Sequence, residues 1–458
     1  MATGFPTKAN WVSGEILTAA QMDDLAATLN LLSNALAASG SQLVSNAAGT
    51  SFAYQPTPSS SNPVLNSAFQ IWQRYSTQVT GTITGATSGA TTAYVVANSF
   101  VVGQYVTVTG MTPTTLNSAG VVTVASGTGF TISATTTGTF SAGGIATGSP
   151  YIAIPASQAY PSNFAADRWQ MGTAGASEAM TISRQPTADT TNLPNIQYAL
   201  RVQRNSGQTG TTAVNITQSF ETVNSIPFAG KTVTLSFYAR AGANYSGASS
   251  AFTGSLYTGS GTDQNLNPGG IPTVSVGTTV TLTTTWQRFQ ISGAIPSSVT
   301  QIGLAFGYTP VGTAGANDYY EMTGVQIDVG SVALPFRTNA GTLQGELAAC
   351  QRYLPVVNTG TRLIGNSQST TQTFPNIVFP VTARVAPTGI TVGAVGNYAV
   401  INGSGTSGTP VAISFSSASV DGAQLGVTTT AGTPTLTIGQ VGSLVAVTST
   451  ILFTGCEL

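Results

Sequence analysis

Asp318, Glu321 and Asp328 form a close group of acidic residues in this sequence. Two carboxylates held roughly 5–10 Å apart can act as acid and base, or as acid and nucleophile, at a glycosidic bond. Strand geometry works against that chemistry here. Residues an odd number apart point to opposite faces, so Asp318 and Glu321 diverge, and Asp318 and Asp328 share a face only along an unbroken strand. These acids therefore read as structural. A second oxygen-rich run, Asp263-Gln264-Asn265-Leu266-Asn267-Pro268-Gly269-Gly270, carries side-chain oxygens at alternate positions in the manner of a calcium loop. Pro268 stands where such a loop needs glycine, and no glutamate closes it, so the run reads as a solvent turn. The chain contains no histidine, which removes imidazole bases, imidazole metal ligands and the usual nucleophilic triads. No catalytic residue, metal ligand or cofactor is assigned, and the chain is read as a non-enzyme.

The composition excludes further classes. Charged residues make up 6% of the 458 residues and the net charge is -1, against about a quarter in an ordinary soluble domain. Lysine occurs only at positions 8 and 231, and the arginines are scattered from Arg74 to Arg384. A nucleic-acid partner needs clustered basic side chains, so none is expected. No apolar run approaches the roughly 20 residues of a membrane helix, and the N-terminus lacks a signal-peptide pattern, so folding in the cytoplasm is expected. Cys350 and Cys456 are too isolated for a disulfide framework or a metal site, and both read as reduced.

The elements that must position any site are mostly strands. Gly, Ser, Thr and Asn dominate the polar positions, where they suit hydroxyl-rich strands and tight turns. One clear helix lies near the N-terminus. Thr18 and Gln21 form a capping box, and Met22, Leu25, Leu29, Leu32 and Leu36 follow at heptad spacing, with Leu43 one heptad on. A helix this short needs a partner, and the Ser/Ala/Asn/Pro-rich linker that follows offers none, so three chains are expected to associate along the seam. The run 62–74 reads as a first strand with large aromatic anchors. Residues 78–150 are almost uncharged and rich in Thr, Gly and Val, with alternating runs such as Tyr105-Val106-Thr107-Val108, and they read as an inserted small β-domain. Clear alternators return at 198–204, 232–240, 286–291 and 301–306, where a two-sheet jelly roll is the natural solution. Trp72, Trp169 and Trp286 belong to these patterns and are expected in the core.

The sequence thus divides into an N-terminal attachment segment and trimerising helix (1–45), a linker (46–61), and a jelly roll made of 62–77 and 151–340. The inserted domain spans 78–150, a short connecting helix 341–354, and a C-terminal β-sandwich tip 355–458. The fold class is all-β, multi-domain, with a short N-terminal coiled-coil segment.

The stretch Asp318-Tyr319-Tyr320-Glu321-Met322-Thr323-Gly324-Val325-Gln326-Ile327-Asp328-Val329-Gly330-Ser331-Val332-Ala333-Leu334-Pro335-Phe336 resembles the closing strand of a jelly-roll module found in bacteriophage tail-fibre proteins. The family's following helix, ending in Cys-Gln-Arg-Tyr, is matched by 346–353. Its first strands are matched by Phe69-Gln70-Ile71-Trp72-Gln73-Arg74 and Ala166-Asp167-Arg168-Trp169. Residues 12–36 resemble the particle-attaching start of such fibres, and Phe379 to Arg384 with Ala386 to Thr388 resemble a fibre tip. The insertion at 78–150 departs from the family's usual short loop. The resemblance implies a homotrimer on the virion, made in a bacterial host. Its N-terminus would attach to tail or head proteins, and the fibre would bind a host-surface polysaccharide.

A sugar site sets an aromatic ring against a sugar face and places amides or charged groups at the hydroxyls. Aromatics in loops are the candidates: Tyr245 with Asn244, and Tyr308, in the jelly roll; Tyr398 with Asn397 and Asn402 in the tip. An ordinary packing role is the competing reading for each. Two other functions stay open. One is a head or tail decoration protein that binds no glycan, and the other is a capsule-degrading tailspike-type enzyme.

Overall fold

Runs that alternate an apolar residue with Ser, Thr, Asn or Gln can bury one face and leave the other wet, which suits antiparallel sheets. The computed structural model bears this out: the chain is all-β and multi-sheeted, and every strand pairing in it is antiparallel. It describes residues 41–45, 52–56, 62–74, 80–156, 164–173, 178–266 and 270–458. The capping pair Thr18 and Gln21 and the seam Met22, Leu25, Leu29, Leu32 and Leu36 lie outside the described residues. Leu43 continues no heptad. It stands in a strand, Ser41–Ser45, paired with Phe52–Pro56 across the segment read as a linker, with Leu43 opposite Tyr54. Val44 and the flanking serines favour extended backbone over helix.

The jelly roll uses eleven strands: β1 (Tyr151–Ile154), β2 (Gln170–Thr173), β3 (Met180–Pro186), β4 (Tyr198–Arg204), β5 (Val214–Ser219) and β6 (Thr232–Ala241), then β7 (Ala251–Gly259), β8 (Thr273–Thr281), β9 (Gln287–Ala294), β10 (Gln301–Tyr308) and β11 (Tyr319–Val329). One sheet runs β1-β3-β4-β11-β6-β9 and the other β2-β5-β10-β7-β8. Their inner faces share a core of Trp169, Phe237, Phe252, Phe306, Tyr320 and their aliphatic neighbours. The rings of Phe237 and Phe306 meet edge to face at 5.0 Å, a favourable quadrupolar arrangement.

The three tryptophans named above are buried, as the sequence implies, but none lies within a strand. The segment 62–74 is a set of turns, not a first strand. Asn66 and Phe69 adopt φ of 49° and 54°. The Asn66 amide does the work of a ladder, donating to the carbonyls of Ile71 and Asp167 while its oxygen accepts from Ile71 N–H. Trp72 and Trp169 donate their indole N–H groups to Phe69 and Asn66 carbonyls. An asparagine that tolerates left-handed backbone and bonds locally replaces sheet pairing here.

Between the turns at 62–74 and β1, eight short strands from Thr80–Thr82 to Ala142–Gly148 form one sheet around Tyr94, Phe100, Val106, Leu116, Phe130 and Ile132. After β11 comes α2 (Leu343–Gln351), following the short α1 (Thr222–Ser225). Thr342 caps α2 by accepting from Gly345 N–H. The C-terminal sheets have seven and three strands, with Tyr398, Leu425, Leu444 and Phe453 between them. Glu457 pairs with Arg74 and Asp263 with Arg384, which ties this last unit to the jelly roll. Cys350 and Cys456 are free thiols, both buried. Among the described residues no helix is long and apolar enough to cross a membrane.

Candidate functional site

The acidic group is built into the jelly roll as three separate ion pairs. Asp318 accepts from Arg204 at 2.8 Å, from Ser246 N–H at 2.9 Å, and from the Tyr308 hydroxyl at 3.3 Å. Glu321 lies between Arg201 and Arg240, at 2.6 Å from each. Asp328 accepts from Arg337, Gln326 and Leu334 N–H. All three carboxylates are buried. Glu321 and Asp328, seven residues apart, both face away from the core. A bulge at Gly324 (φ 60°) adds the residue that restores the phase, and the β6–β11 register shifts at that point. Opposite them on β6 stand Arg240 and Thr234, six residues apart. That separation is about 20 Å at strand rise, far beyond the reach of a carboxylate pair working on one bond.

The aromatic candidates divide in the same way. Tyr308 is 5% exposed and stacks within the core against Tyr245, ring centres 4.5 Å apart. Tyr245 is half-buried and donates its hydroxyl to Ala251 O. Burial drives both phenols far above their usual pKa. Tyr398 is 2% exposed, donating to Thr450 O and accepting from Gly393 N–H. Neither Tyr308 nor Tyr398 offers a ring face, so the sugar-platform reading of these two is corrected: alternation from neighbouring strands carries them inward. Asn397 and Asn402 shape turns. Asn402 Oδ1 accepts from Ser404 N–H and Thr406 N–H, and the Asn397 carbonyl accepts from Val447 and Thr448 N–H. Asn244 is exposed, and its Oδ1 accepts from Asn317 N–H.

Asn317 leads to a place the sequence reading did not reach. Its side chain lines a cleft of about 750 Å³ between the inserted sheet and the outward face of β3, β4 and β11. The two walls differ. The inserted sheet contributes Val101, Val102, Val121, Val122 and Thr123, while the jelly roll contributes Thr181, Arg201, Gln203, Asn205, Asn317 and Tyr319. Cross-strand register sets the polar wall: Gln203 stands opposite Thr181 and Tyr319, and Arg201 opposite Glu321. The Arg201 guanidinium lies over the Tyr319 ring, its carbon 3.7 Å from the ring centre, while Glu321 holds its Nε at 2.8 Å. Gln203 donates to Ala316 O, and its Oε1 has no hydrogen-bond partner. A buried acceptor in that condition is a cost the fold carries.

Gly103, next in sequence to the lining residue Val102, joins the inserted unit to the jelly roll. Its carbonyl accepts from Ser183 Oγ and Gln185 Nε2, both at 2.9 Å. It adopts φ of 89°, and a β-carbon there would come within 2.8 Å of Gln203 Oε1. The left-handed backbone at this position favours glycine. One signal in the sequence could have exposed the polar wall. Arg201 and Gln203 share a strand face in a chain with few bulky polar residues, and Tyr319 follows Asp318. Nothing local marks the other wall, about 80 residues earlier and made of Val and Thr. The cleft can hold a ligand with one apolar side and several hydroxyl or amide groups.

No family model matches the chain, and no curated protein matches it. Among solved structures it is similar to a CBM4 structure, with 21% identity over 29% of this chain and 71% of that one and a TM-score of 0.21. It is also similar to the CBM22-2 xylan-binding domain from Paenibacillus barcinonensis Xyn10C, with 15% identity, 36% and 92% coverage and a TM-score of 0.23. A third match is the enzymatically active domain of bacteriophage CBA120 tailspike protein 4, with 12% identity and a TM-score of 0.25. That match covers 35% of this chain and 19% of the tailspike chain.

Proposed function

We propose that this chain is a bacteriophage virion fibre protein that recognises a host-surface polysaccharide and catalyses no reaction. The observation that carries the glycan reading is the two-walled cleft. Its volume lies in the range of small-ligand sites, which run from about 300 to 1,000 Å³. A sugar ring has one apolar face and a rim of hydroxyls. Val101, Val102 and Val121 of the inserted unit suit the face; Asn205, Asn317 and the Arg201–Tyr319 pair suit the rim. The fibre reading is supported by the resemblance of 318–353 and by the heptad seam Met22, Leu25, Leu29, Leu32 and Leu36, which implies a homotrimer joined to tail or head proteins through its N-terminus. The non-catalytic reading is supported by the separate Arg-paired fates of Asp318, Glu321 and Asp328.

The test is a glycan array read with the full chain beside Asn317→Ala and Tyr319→Ala. Binding weakened about tenfold in the variants (about 1.4 kcal/mol), with melting unchanged for Asn317→Ala, supports the cleft. An empty array moves the assignment to a decoration protein, and release of reducing sugar from host capsule moves it to a tailspike-type enzyme. Light scattering checks assembly, with a particle of three 46.3 kDa chains expected.

A further inference from the structure

The seven-stranded sheet near the C-terminus has an outward face that the jelly-roll cleft leaves unused. Three adjacent strands of it are Arg362–Ser367, Gln372–Val378 and Gly422–Thr429. Thr373 and Pro375 point inward and are buried, so Phe374 and Asn376 point outward. The Phe374 ring belongs to neither the core of this unit nor the residues packed against that core, and it is part-exposed.

Register defines what surrounds it. Asn366 stands directly opposite Phe374 on one neighbouring strand, and Ile364, 61% exposed, stands opposite Asn376. On the other side Gln424 faces Asn376 and donates to its Oδ1 at 3.1 Å; Ser416 in turn donates to Gln424. Gly426 lies beside the ring: a β-carbon there would sit 3.7 Å from Phe374 Cε1. The Ser414 hydroxyl, which donates to Gly426 O at 3.1 Å, stands over the same glycine and adds a further polar group near the ring. The seven strands carry one charged residue, Arg362, whose Nε donates to Ser443 Oγ at 2.9 Å.

From this arrangement we infer that the outward face of this sheet is a second saccharide-binding platform, centred on Phe374 and selecting an uncharged sugar. An outward-pointing, part-exposed aromatic ring on a sheet face offers stacking area to the C–H face of a pyranose. The amide row Asn376–Gln424, with Asn366 beside the ring, offers donors and acceptors of both kinds to its hydroxyls. The scarcity of charge disfavours an ionic ligand, because an anionic sugar needs several cations to offset its desolvation. An outward sheet face suits the side of an extended polysaccharide, whereas the cleft suits a chain end or short branch. Two sites on one chain would also raise avidity without any new contact. The inference shares the saccharide reading with the cleft but none of its residues.

The experiment uses the full chain on an array of neutral and acidic glycans, with Phe374→Ala, Phe374→Trp and the cleft variant Asn317→Ala. Phe374 points away from the core, so its variants are expected to melt with the wild type. The expected result is neutral-glycan binding that survives Asn317→Ala, falls about tenfold in Phe374→Ala and is retained in Phe374→Trp. Three results overturn the platform: neutral binding unchanged in Phe374→Ala, all binding lost in the cleft variant alone, or a lower particle mass for Phe374→Ala by light scattering. The last would make this face a contact between copies of the chain. A failure of the cleft leaves binding unchanged in Asn317→Ala, whereas a failure of the platform leaves it unchanged in Phe374→Ala or abolishes it in Asn317→Ala, so the two are separable.

Discussion

The inserted sheet and the jelly roll are built from the same kinds of strand and differ in how they use charge. Residues 80–148 contain no Asp, Glu, Lys or Arg. Their order rests on one apolar core and on hydroxyl and amide bonds, such as Tyr94 to Leu116 O at 2.7 Å and Thr92 to Thr136 at 2.8 Å. The jelly roll instead buries its charges as pairs. Arg204 is 0% exposed and reaches Glu178, Asp318, Ser246 and three carbonyls, while Glu321 bridges Arg201 and Arg240. A buried pair gives little net stability because desolvation offsets attraction, but losing one partner is expensive. The difference teaches that low overall charge here is not even dilution. Charge is absent from one unit and, in the other, is in large part held inside, where it fixes which loops meet which strands.

The largest expected effect comes from breaking that contrast at its hub. Arg204→Met leaves Glu178 and Asp318 buried without their cation, and a loss of about 3–5 kcal/mol is expected. Urea unfolding followed by hydrogen exchange should show the jelly-roll strands losing protection while 105–132 keep theirs. Equal loss in both units would mean they unfold as one, and the comparison would not survive.

Gly103→Ala tests the contact between the two units. The φ of 89° and the approach to Gln203 Oε1 both oppose a β-carbon, and about 1–3 kcal/mol of lost docking is expected. Faster exchange at Val122 and Ser183, with the two cores intact, would register it. Unchanged exchange there would show that this contact between the units tolerates a side chain. Tyr94→Phe removes one buried hydrogen bond from the uncharged unit, at about 1 kcal/mol. Its melting transition should fall and that of the jelly roll should not.

The smallest effect is with pH. Burial holds the carboxyl groups of Asp167, Glu178 and Glu457 above their ordinary range, against the opposing pull of Arg74 on Asp167 and Glu457 and of Arg204 on Glu178. Burial also pushes Glu221 up, but hydrogen bonds from Arg352 and Tyr353 outweigh it and leave it below. The three raised groups bind protons more tightly folded than unfolded. Their contribution is complete below the unfolded value and lost as pH rises through the folded one. Glu221 behaves oppositely, contributing above its unfolded value and losing that only as pH falls through its lower folded value. Acidification from neutrality toward about pH 4.5 should therefore hold or raise the jelly-roll melting temperature. The inserted sheet, with nothing acidic to titrate, should stay flat. A falling jelly-roll transition over that window would contradict the assignment.

Much of the fold was legible from residue order. Strand alternation depends only on neighbours in sequence, so β4, β6, β9 and β10 could be read directly from their residues. The change of texture near residue 78 separated an uncharged unit from its flanks for the same local reason. Lack of histidine and scarcity of charge likewise needed no coordinates. What stayed hidden depends on which strands become neighbours. The 62–74 segment looked like a strand because its aromatics are core residues, yet the Asn66 amide holds them in turns. Tyr398 looked like a loop aromatic until strand pairing turned it inward. The single bulge at Gly324 reversed the phase that placed Glu321 and Asp328 on opposite faces. The cleft joins Val101 and Val121 to Gln203 and Asn317. Side-chain direction repeats every two residues and is written locally; contact across sheets is set by topology, and only the assembled chain brings those walls together.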